Sequence, residues 1–203
     1  IGYLPQYAEG MFEKLPCRDP DGKTNLVFAG NIGTVQSVET IIKAAEKLKD
    51  SPISFHIVGG GTDLERLKGL ANGLENVIFY GRRPLEEMTE FYSMADAVLV
   101  TLKADPVLSL TLPGKVQSYM AAGKPIIGAI DGETKEIIEK AECGYCGRAE
   151  DADELAENIR RFINDEKTAE LGLNARDFYE KYFERQKFMD ELEAQFSQIC
   201  KNS

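Results

Sequence analysis

Glycine-rich and cationic segments recur in this chain where predicted strands end and predicted helices begin. The first is Gly30-Asn31-Ile32-Gly33, which follows a short apolar run and precedes an amphipathic stretch. Loop amides and a helix N-terminus in that arrangement bind phosphate groups. The segment is not a G-x-G-x-x-G dinucleotide motif, and an ordinary tight turn is the alternative. We predict that Gly30, Asn31, Ile32 and Gly33 contact the diphosphate of a ligand.

A lysine in the first turn of a predicted helix is the second candidate for anion binding. In Thr111-Leu112-Pro113-Gly114-Lys115, Thr111 is expected to cap the helix and Pro113 to lie at its start. Lys115 then faces the positive end of the helix dipole, which is unfavourable unless an anion is bound there. We predict that Pro113, Gly114 and Lys115 bind the same diphosphate; the alternative is a solvated surface lysine.

Two further loops contribute candidates. Arg82 and Arg83 follow an apolar run, and a guanidinium donates forked hydrogen bonds to phosphate. We predict that one of them binds a ligand, although paired arginines are also common on surfaces. The segment Leu102–Leu112 is longer than most strand-to-helix connections, so it is either a binding or closing element or a solvated loop.

Composition excludes several classes of function. The 203 residues are 43% hydrophobic and carry 24 basic against 34 acidic side chains, a net charge of −10. Such a chain buries a core without disulfides, and it is a poor partner for nucleic acid or a membrane surface. The first residues do not form a signal peptide. We expect the chain to continue before Ile1 and the protein to be cytoplasmic, either free or peripheral at the inner face of the membrane.

Side chains that carry out nucleophilic or metal chemistry are sparse. Cys143 and Cys146 have the spacing of a metal or redox pair, but a zinc site needs two more ligands. The only histidine, His56, lies inside an apolar run. We therefore expect reduced structural cysteines, a packed strand histidine and no metal. The loops hold no histidine-based triad and no paired carboxylates, so the sequence leaves the catalytic residues unknown.

Apolar runs of strand length alternate with amphipathic segments of helix length from Asn25 onward, which predicts a parallel sheet with helices on both faces. The predicted strands are 26–29, 53–58, 77–80, 97–101, 125–129 and a very short one at 144–146; the helices between them are 35–49, 62–70, 84–95 and 113–122. Right-handed crossovers then give a doubly wound, Rossmann-like α/β fold with its ligand at the carboxyl ends of the strands. We divide the chain into a linker (1–24), a Rossmann-like core (25–150) and C-terminal helices of the same domain (151–203).

The order of these loops resembles a known family. The segments 28–33, 55–61, 81–88 and 112–125, the last containing Ala121-Ala122-Gly123-Lys124-Pro125, closely resemble the C-terminal domain of GT4-type glycosyltransferases of the GT-B fold. The Pro-x-Lys form with Tyr119 is similar to a subgroup of bacterial polysaccharide and lipopolysaccharide-type transferases.

That resemblance implies retaining transfer of a hexosyl group from a nucleoside diphosphate sugar, with a UDP-sugar slightly favoured. The acceptor, a glycan or lipid-linked sugar, would be held by a separate N-terminal domain, so this portion is expected to be inactive alone. The resemblance implies no cofactor and no metal. By position it implies that Arg82 lies near the nucleotide and that Thr111, Ser118 and Glu133 lie near the donor sugar in the cleft.

Two departures from the family pattern keep other functions open. Leu110 and Ser118 stand where common members carry two glutamates, and neither accepts the same hydrogen bonds. A non-catalytic binding or scaffold domain of the same fold is therefore the first alternative. A nucleotide-sugar epimerase half is a weaker one, because it requires acid and base residues that these loops lack.

Overall fold

The computed structural model describes residues 6–13, 15 and 22–201, and it contains a six-stranded parallel sheet. The strands are β1 (Thr24–Ala29), β2 (Ile53–Val58), β3 (Val77–Gly81), β4 (Ala97–Thr101), β5 (Ile126–Ala129) and β6 (Gly144–Gly147). Their order in the sheet is β3-β2-β1-β4-β5-β6, which confirms the predicted doubly wound fold. The order reverses between β1 and β4, so the loops that leave these two strands flank the crevice where such sheets bind ligands.

The described part of the chain contains eight helices. They are α1 (Val38–Lys47), α2 (Leu64–Leu70), α3 (Met88–Met94), α4 (Gly114–Ala121), α5 (Glu133–Lys140), α6 (Ala152–Ile163), α7 (Thr168–Tyr182) and α8 (Arg185–Lys201). The helices α1 and α3 begin later than predicted because the 3-10 turns Thr34–Gln36 and Leu85–Glu87 precede them. None of the described helices is long and apolar enough to span a bilayer.

Both faces of the sheet are buried. Leu26 and Phe28 of β1 belong to a core cluster formed with α1, α2 and α6, whereas Val27 and Ala29 belong to a second cluster formed with α3, α4 and α7. Successive side chains of a strand point to opposite faces, so a strand covered on both sides is apolar throughout. This is why the strands stand out in the sequence as continuous apolar runs.

Part of the predicted linker packs on the core. Phe12 and Ala8 are buried; the Phe12 ring lies 4.9 Å from that of Tyr92, and the Ala8 amide is 3.3 Å from the hydroxyl of Tyr179. Residues 1–5, 14 and 16–21 of this segment, which include Cys17, lie outside the described residues. The division of the chain at residues 24 and 150 stays a prediction.

The loops after β1 and β2 pack backbone against backbone. The amide of Gly30 donates to the carbonyl of Val58, and that of Ile32 donates to the carbonyl of Gly60, each at 2.9 Å. A Cβ added at Gly59, whose φ is 148°, would lie 1.8 Å from the Gly30 carbonyl oxygen. Glycine at position 59 is therefore required by the close approach of the neighbouring loop.

Replacing Gly59 by alanine tests this packing. We expect Gly59→Ala to lower the free energy of unfolding by at least about 2 kcal/mol, because the Cβ clashes with backbone and the positive φ strains the residue. Gly69→Ala is the matched control, since a Cβ there meets nothing within 4 Å. It lies in α2 and should stabilise the chain by about 0.5–1 kcal/mol. Urea unfolding of the two variants measures both effects, and equal stabilities would contradict the packing.

Candidate functional site

The two central strands part at their carboxyl ends. β1 pairs with β4 only at Leu26↔Ala97 and Val27↔Val98. On their other edges, β1 pairs with β2 through Ala29 and β4 pairs with β5 through Thr101. The carboxyl halves of β1 and β4 therefore form the walls of a gap in the sheet, and α4 begins beside it.

The ammonium group of Lys115 lies at this gap. Its Nζ is 3.9 Å from the centroid of the Phe28 ring, and a Cβ added at Gly30 would lie 2.7 Å from Nζ. Lys115 starts from α4 on one face of the sheet, while the Phe28 ring belongs to the opposite face. The side chain therefore crosses the sheet at the carboxyl end of β1, as the predicted meeting of Lys115 with the Gly30 turn requires.

The environment of this ammonium is unfavourable for a cation. Nζ of Lys115 is buried and has no hydrogen-bond partner among the described residues. Burial lowers the pKa of Lys115 from its ordinary value of 10.5 to about 7. The Phe28 ring compensates only partly, since a cation–π contact is worth about 0.5–2 kcal/mol. The position suits a cation that receives its counter-ion from a ligand.

An open cavity of about 490 Å³ adjoins Gly30. It is lined by residues that follow three neighbouring strands: Gly30, Asn31, Val58, Gly59, Gly60, Gly61, Arg82, Arg83 and Met88. Lys115 is not in its lining, but Nζ lies against Gly30, which is. A larger cavity of about 750 Å³ lies at the amino ends of β1, β4 and β5. We assign the site to the smaller cavity because ligands of such sheets bind at the carboxyl ends of the strands.

Most backbone amides of the turn Gly30–Gly33, which the sequence predicts to bind phosphate, already have acceptors within the protein. Those of Gly30 and Ile32 donate to the β2 loop, and that of Gly33 is 3.3 Å from Oε1 of Gln36. Only the amide of Asn31 has no acceptor within the described part of the chain. An anion on this turn would therefore bind to one amide together with Lys115, not to a cradle of four amides.

The two arginines differ in their contacts. Nε of Arg83 donates to the carbonyl of Tyr80 at 3.2 Å, and its guanidinium lies 3.6 Å from the carboxylate of Glu87. The exposed guanidinium of Arg82 makes no hydrogen bond or ion pair with any described residue. Arg82 is thus the arginine of this pair that is available to a ligand in the cavity.

Thr111 does not cap α4, contrary to our prediction. Its hydroxyl donates to the carbonyl of Leu108 at 2.6 Å, which closes the 3-10 turn Leu108–Leu110. Pro113 precedes the helix instead and has no side-chain donor or acceptor. The amides of Gly114 and Lys115 in the first turn of α4 have no intrahelical acceptor, and they stay available for an anion.

The other two residues predicted near the donor sugar lie in different helices, α4 and α5. Glu133 is exposed at the start of α5, and Ser118 is buried, with its hydroxyl 3.5 Å from the carbonyl of Gly114. Leu110, at one of the two positions where the family carries glutamate, is 79% exposed. These positions remain predictions for sugar binding.

The long loop after β4 is internally bonded. Oδ1 of Asp105 accepts from the amides of Val107 and Leu108 at 2.8 and 3.0 Å. The hydroxyl of Thr134 donates to the carbonyl of Thr111 at 2.9 Å, which ties the end of the loop to α5. Val107 and Leu110 are held at the rim with most of their side chains in solvent.

The histidine and the paired cysteines are structural. His56 is buried, and its ring nitrogens lie 2.8 Å from the hydroxyl of Tyr80 and 2.9 Å from Oδ1 of Asn25. Burial raises the pKa of the Cys143 and Cys146 thiols to about 12. Within the described ranges, no group of three or more histidine, cysteine, aspartate or glutamate side chains is placed to hold a metal ion.

The family follows from a match to the greater part of the sequence. The family described as glycosyl transferases group 1 matches residues 16–178. The chain belongs to this family. Membership confirms the resemblance carried by the glycine-rich and cationic loops, and it places the Gly30 turn and Lys115 inside the segment that defines the family.

One curated relative and two solved structures are similar to this chain. The chain is 31% identical over 153 residues to WcaI of Escherichia coli (strain K12), a protein assigned to colanic acid biosynthesis as a glycosyl transferase. This match covers 71% of this chain and 36% of WcaI. A sucrose-phosphate synthase from Thermosynechococcus elongatus has the same fold, with a TM-score of 0.77, 20% identity and coverage of 98% of this chain and 53% of the other. HepE of Anabaena, solved with UDP-glucose, gives a TM-score of 0.76 at 21% identity, covering 87% and 49%. The chain spans between about a third and a half of the length of the curated relatives it matches.

The buried ammonium of Lys115 predicts a pH-dependent stability. Because its pKa is lower in the folded than in the unfolded chain, the folded state holds fewer protons between about pH 7 and 10.5, and stability rises with pH in that window. We expect Lys115→Met to be more stable than the unaltered protein near pH 6. The difference should shrink by up to about 1.4 kcal/mol per pH unit above pH 7.

Urea unfolding at several pH values measures this difference. Lys103→Met, which alters an exposed lysine in the loop after β4, is the matched control and should show little change with pH. A difference between Lys115→Met and the unaltered protein that is constant from pH 6 to 10 would show that this ammonium is solvated.

Proposed function

We propose that this chain is the donor-binding domain of a glycosyltransferase, and that Lys115 binds the diphosphate of a nucleoside diphosphate sugar. The observation that supports this most strongly is the buried ammonium without a partner, which lies against Gly30 at the switch point of the sheet. A diphosphate at this place would supply the missing counter-ion and would meet the open amides of Asn31 and of the first turn of α4.

The nucleotide is assigned to the cavity beside Gly30. Arg82 is its available cation, and the glycines of the β2 loop line the same cavity. A UDP-sugar is the favoured donor, and the complex of HepE with UDP-glucose supports that choice through a shared fold. WcaI supports an acceptor in polysaccharide synthesis. Thr111, Ser118 and Glu133 are proposed to lie near the sugar.

The reaction we propose is a retaining hexosyl transfer without metal or cofactor. The bond between the anomeric carbon and the diphosphate breaks, and the departing diphosphate carries the negative charge. Lys115 and the α4 amides stabilise that charge as it develops, which is where preorganised donors lower a barrier most. The oxygen of the acceptor hydroxyl forms the new bond to the anomeric carbon on the face that the diphosphate leaves, and a phosphate oxygen accepts the hydroxyl proton. We place the acceptor, a glycan or a lipid-linked sugar, on a separate N-terminal domain of a cytoplasmic enzyme.

A non-catalytic binding domain is the second candidate. Leu110 favours it, because an exposed leucine offers no hydrogen bond to a sugar, and the Ser118 hydroxyl already lies near the carbonyl of Gly114. The two functions differ in one observable, since a full-length protein with no transferase activity but intact nucleotide binding would be of the second kind.

Calorimetry with UDP, GDP and ADP tests the proposed ligand. We expect one of them to bind, and Lys115→Met to weaken it by about 1–2 kcal/mol because a charge-assisted contact is lost. Above pH 7 the affinity should fall by up to tenfold per pH unit until it levels off near that of Lys115→Met, since Lys115 must take up a proton to bind the anion. Lys103→Met should leave the affinity and its pH dependence unchanged.

Two outcomes would count against this assignment. One is the absence of binding by all three nucleotides at millimolar concentration. The other is an equal affinity for the unaltered protein and Lys115→Met, which would locate the diphosphate elsewhere.

The chain alone should not transfer sugar. With each donor as substrate and a matched acceptor, we expect no release of nucleoside diphosphate by the isolated chain, because the acceptor lacks its own domain. Adding the N-terminal half in one polypeptide should produce activity. The measurement is nucleotide release coupled to product analysis, which also reports the configuration of the new bond. Turnover by the isolated chain would contradict the assignment of acceptor binding to a separate domain.

A further inference from the structure

The gap between β1 and β4 leaves backbone groups without ladder partners. β1 continues through Ala29 and β4 through Thr101, but their pairing ends at Val27↔Val98. Ala29 is only 4% exposed, so water does not replace the missing strand. A buried amide or carbonyl that stays unpaired is costly, so some other group must bond the groups that face the gap.

The hydroxyl of Tyr119 occupies this gap. It accepts from the amide of Ala29 at 3.1 Å and lies 3.3 Å from the carbonyl of Ala29 and 3.4 Å from that of Leu99. A phenol has one proton to donate, which goes to one of these two carbonyls. One side chain thus contacts both walls of the gap, and the ring that carries it is fully buried.

Tyr119 and Lys115 are one helical turn apart on α4, so they point from the same side of the helix. Their contacts fall on three consecutive residues: Lys115 contacts Phe28 and Gly30, and Tyr119 contacts Ala29 between them. Movement of α4 relative to β1 would therefore break the Tyr119 hydrogen bonds and displace the Lys115 ammonium together.

We propose that the Tyr119 hydroxyl is a positioning group that replaces the β1–β4 ladder, fixes α4 against the gap and thereby holds Lys115 beside Gly30. The consequence for ligands rests on the proposed function, whereas the placement of Lys115 does not. Tyr119 itself touches no ligand in this account and acts only through Lys115.

Tyr119→Phe removes the hydroxyl and keeps the ring. Tyr92→Phe is the matched control: Tyr92 is also buried, its ring lies edge-on to that of Tyr119 at 5.5 Å, and its hydroxyl makes no hydrogen bond with the described residues. Both changes remove one phenolic oxygen from the same aromatic cluster. Only the first removes a contact with the gap.

The readout is the pKa of the Lys115 ammonium in the protein without nucleotide, followed by NMR. In the unaltered protein and in Tyr92→Phe we expect the pKa near 7. In Tyr119→Phe it should rise to about 8 or higher, because the ammonium is released toward water. A purely structural role of the hydroxyl would lower the melting temperature and leave this pKa where it was, and that result would overturn the proposal.

Nucleotide affinity is a separate readout. If UDP binds as proposed, Tyr119→Phe should bind it about tenfold more weakly at pH 6, where Lys115 is protonated in every protein compared, and Tyr92→Phe should bind it normally. A raised pKa in a protein that binds no nucleotide would support the positioning role and count against the proposed function. An unchanged Lys115 pKa in Tyr119→Phe together with normal UDP binding would support the proposed function and overturn the positioning role.

Hydrogen exchange provides a reading that needs no substitution, in case Tyr119→Phe does not fold. The amide of Ala29 in the unaltered protein should exchange slowly, through global unfolding only, because a buried hydroxyl holds its proton in a hydrogen bond. Exchange of this amide at the rate of an exposed loop would overturn the proposal.

Discussion

The site depends on one electrostatic constraint, a lysine ammonium buried at the place where two central strands part. Water is excluded from Nζ, and the Phe28 ring offers only a weak attraction. The positive end of α4 makes the position worse for a cation. A bound anion makes the position favourable, because it is attracted both by the ammonium and by the helix amides. Gly30 completes the arrangement, since any side chain there would occupy the space of Nζ.

The same constraint explains how an acidic protein can hold an acidic ligand. The chain carries a net charge of −10, so its overall field repels a nucleoside diphosphate. Attraction must come from groups at contact distance, and three are available at this rim: Lys115, Arg82 and the open backbone amides. The glycines of the β2 loop serve the fold first, because they let the loop lie against the Gly30 turn. The cavity is a consequence of that packing.

The sequence predicts the framework of this protein well and the contacts of its site less well. Strands 53–58 and 97–101 were predicted to the residue, since a strand buried on both faces is an uninterrupted apolar run. Lys115 could be identified because a cation in the first turn of a helix faces the positive end of the helix dipole, which is unfavourable unless an anion is bound. The Gly33 amide and the Thr111 hydroxyl were assigned wrongly, because Gln36 and Leu108 compete for them and sequence spacing does not show which partner is nearer. Tyr119 escaped notice as a bridging group because the gap it fills exists only once the register of β1 and β4 is known.

The most direct test of the central claim is a crystal structure of the chain with UDP. The distance that decides is the one between Nζ of Lys115 and the nearest phosphate oxygen. We predict a charge-assisted hydrogen bond of about 2.7–3.0 Å, with the diphosphate between the Asn31 amide and the first turn of α4. A well-ordered UDP whose phosphates lie elsewhere, with Lys115 still buried and without a partner, would contradict the account.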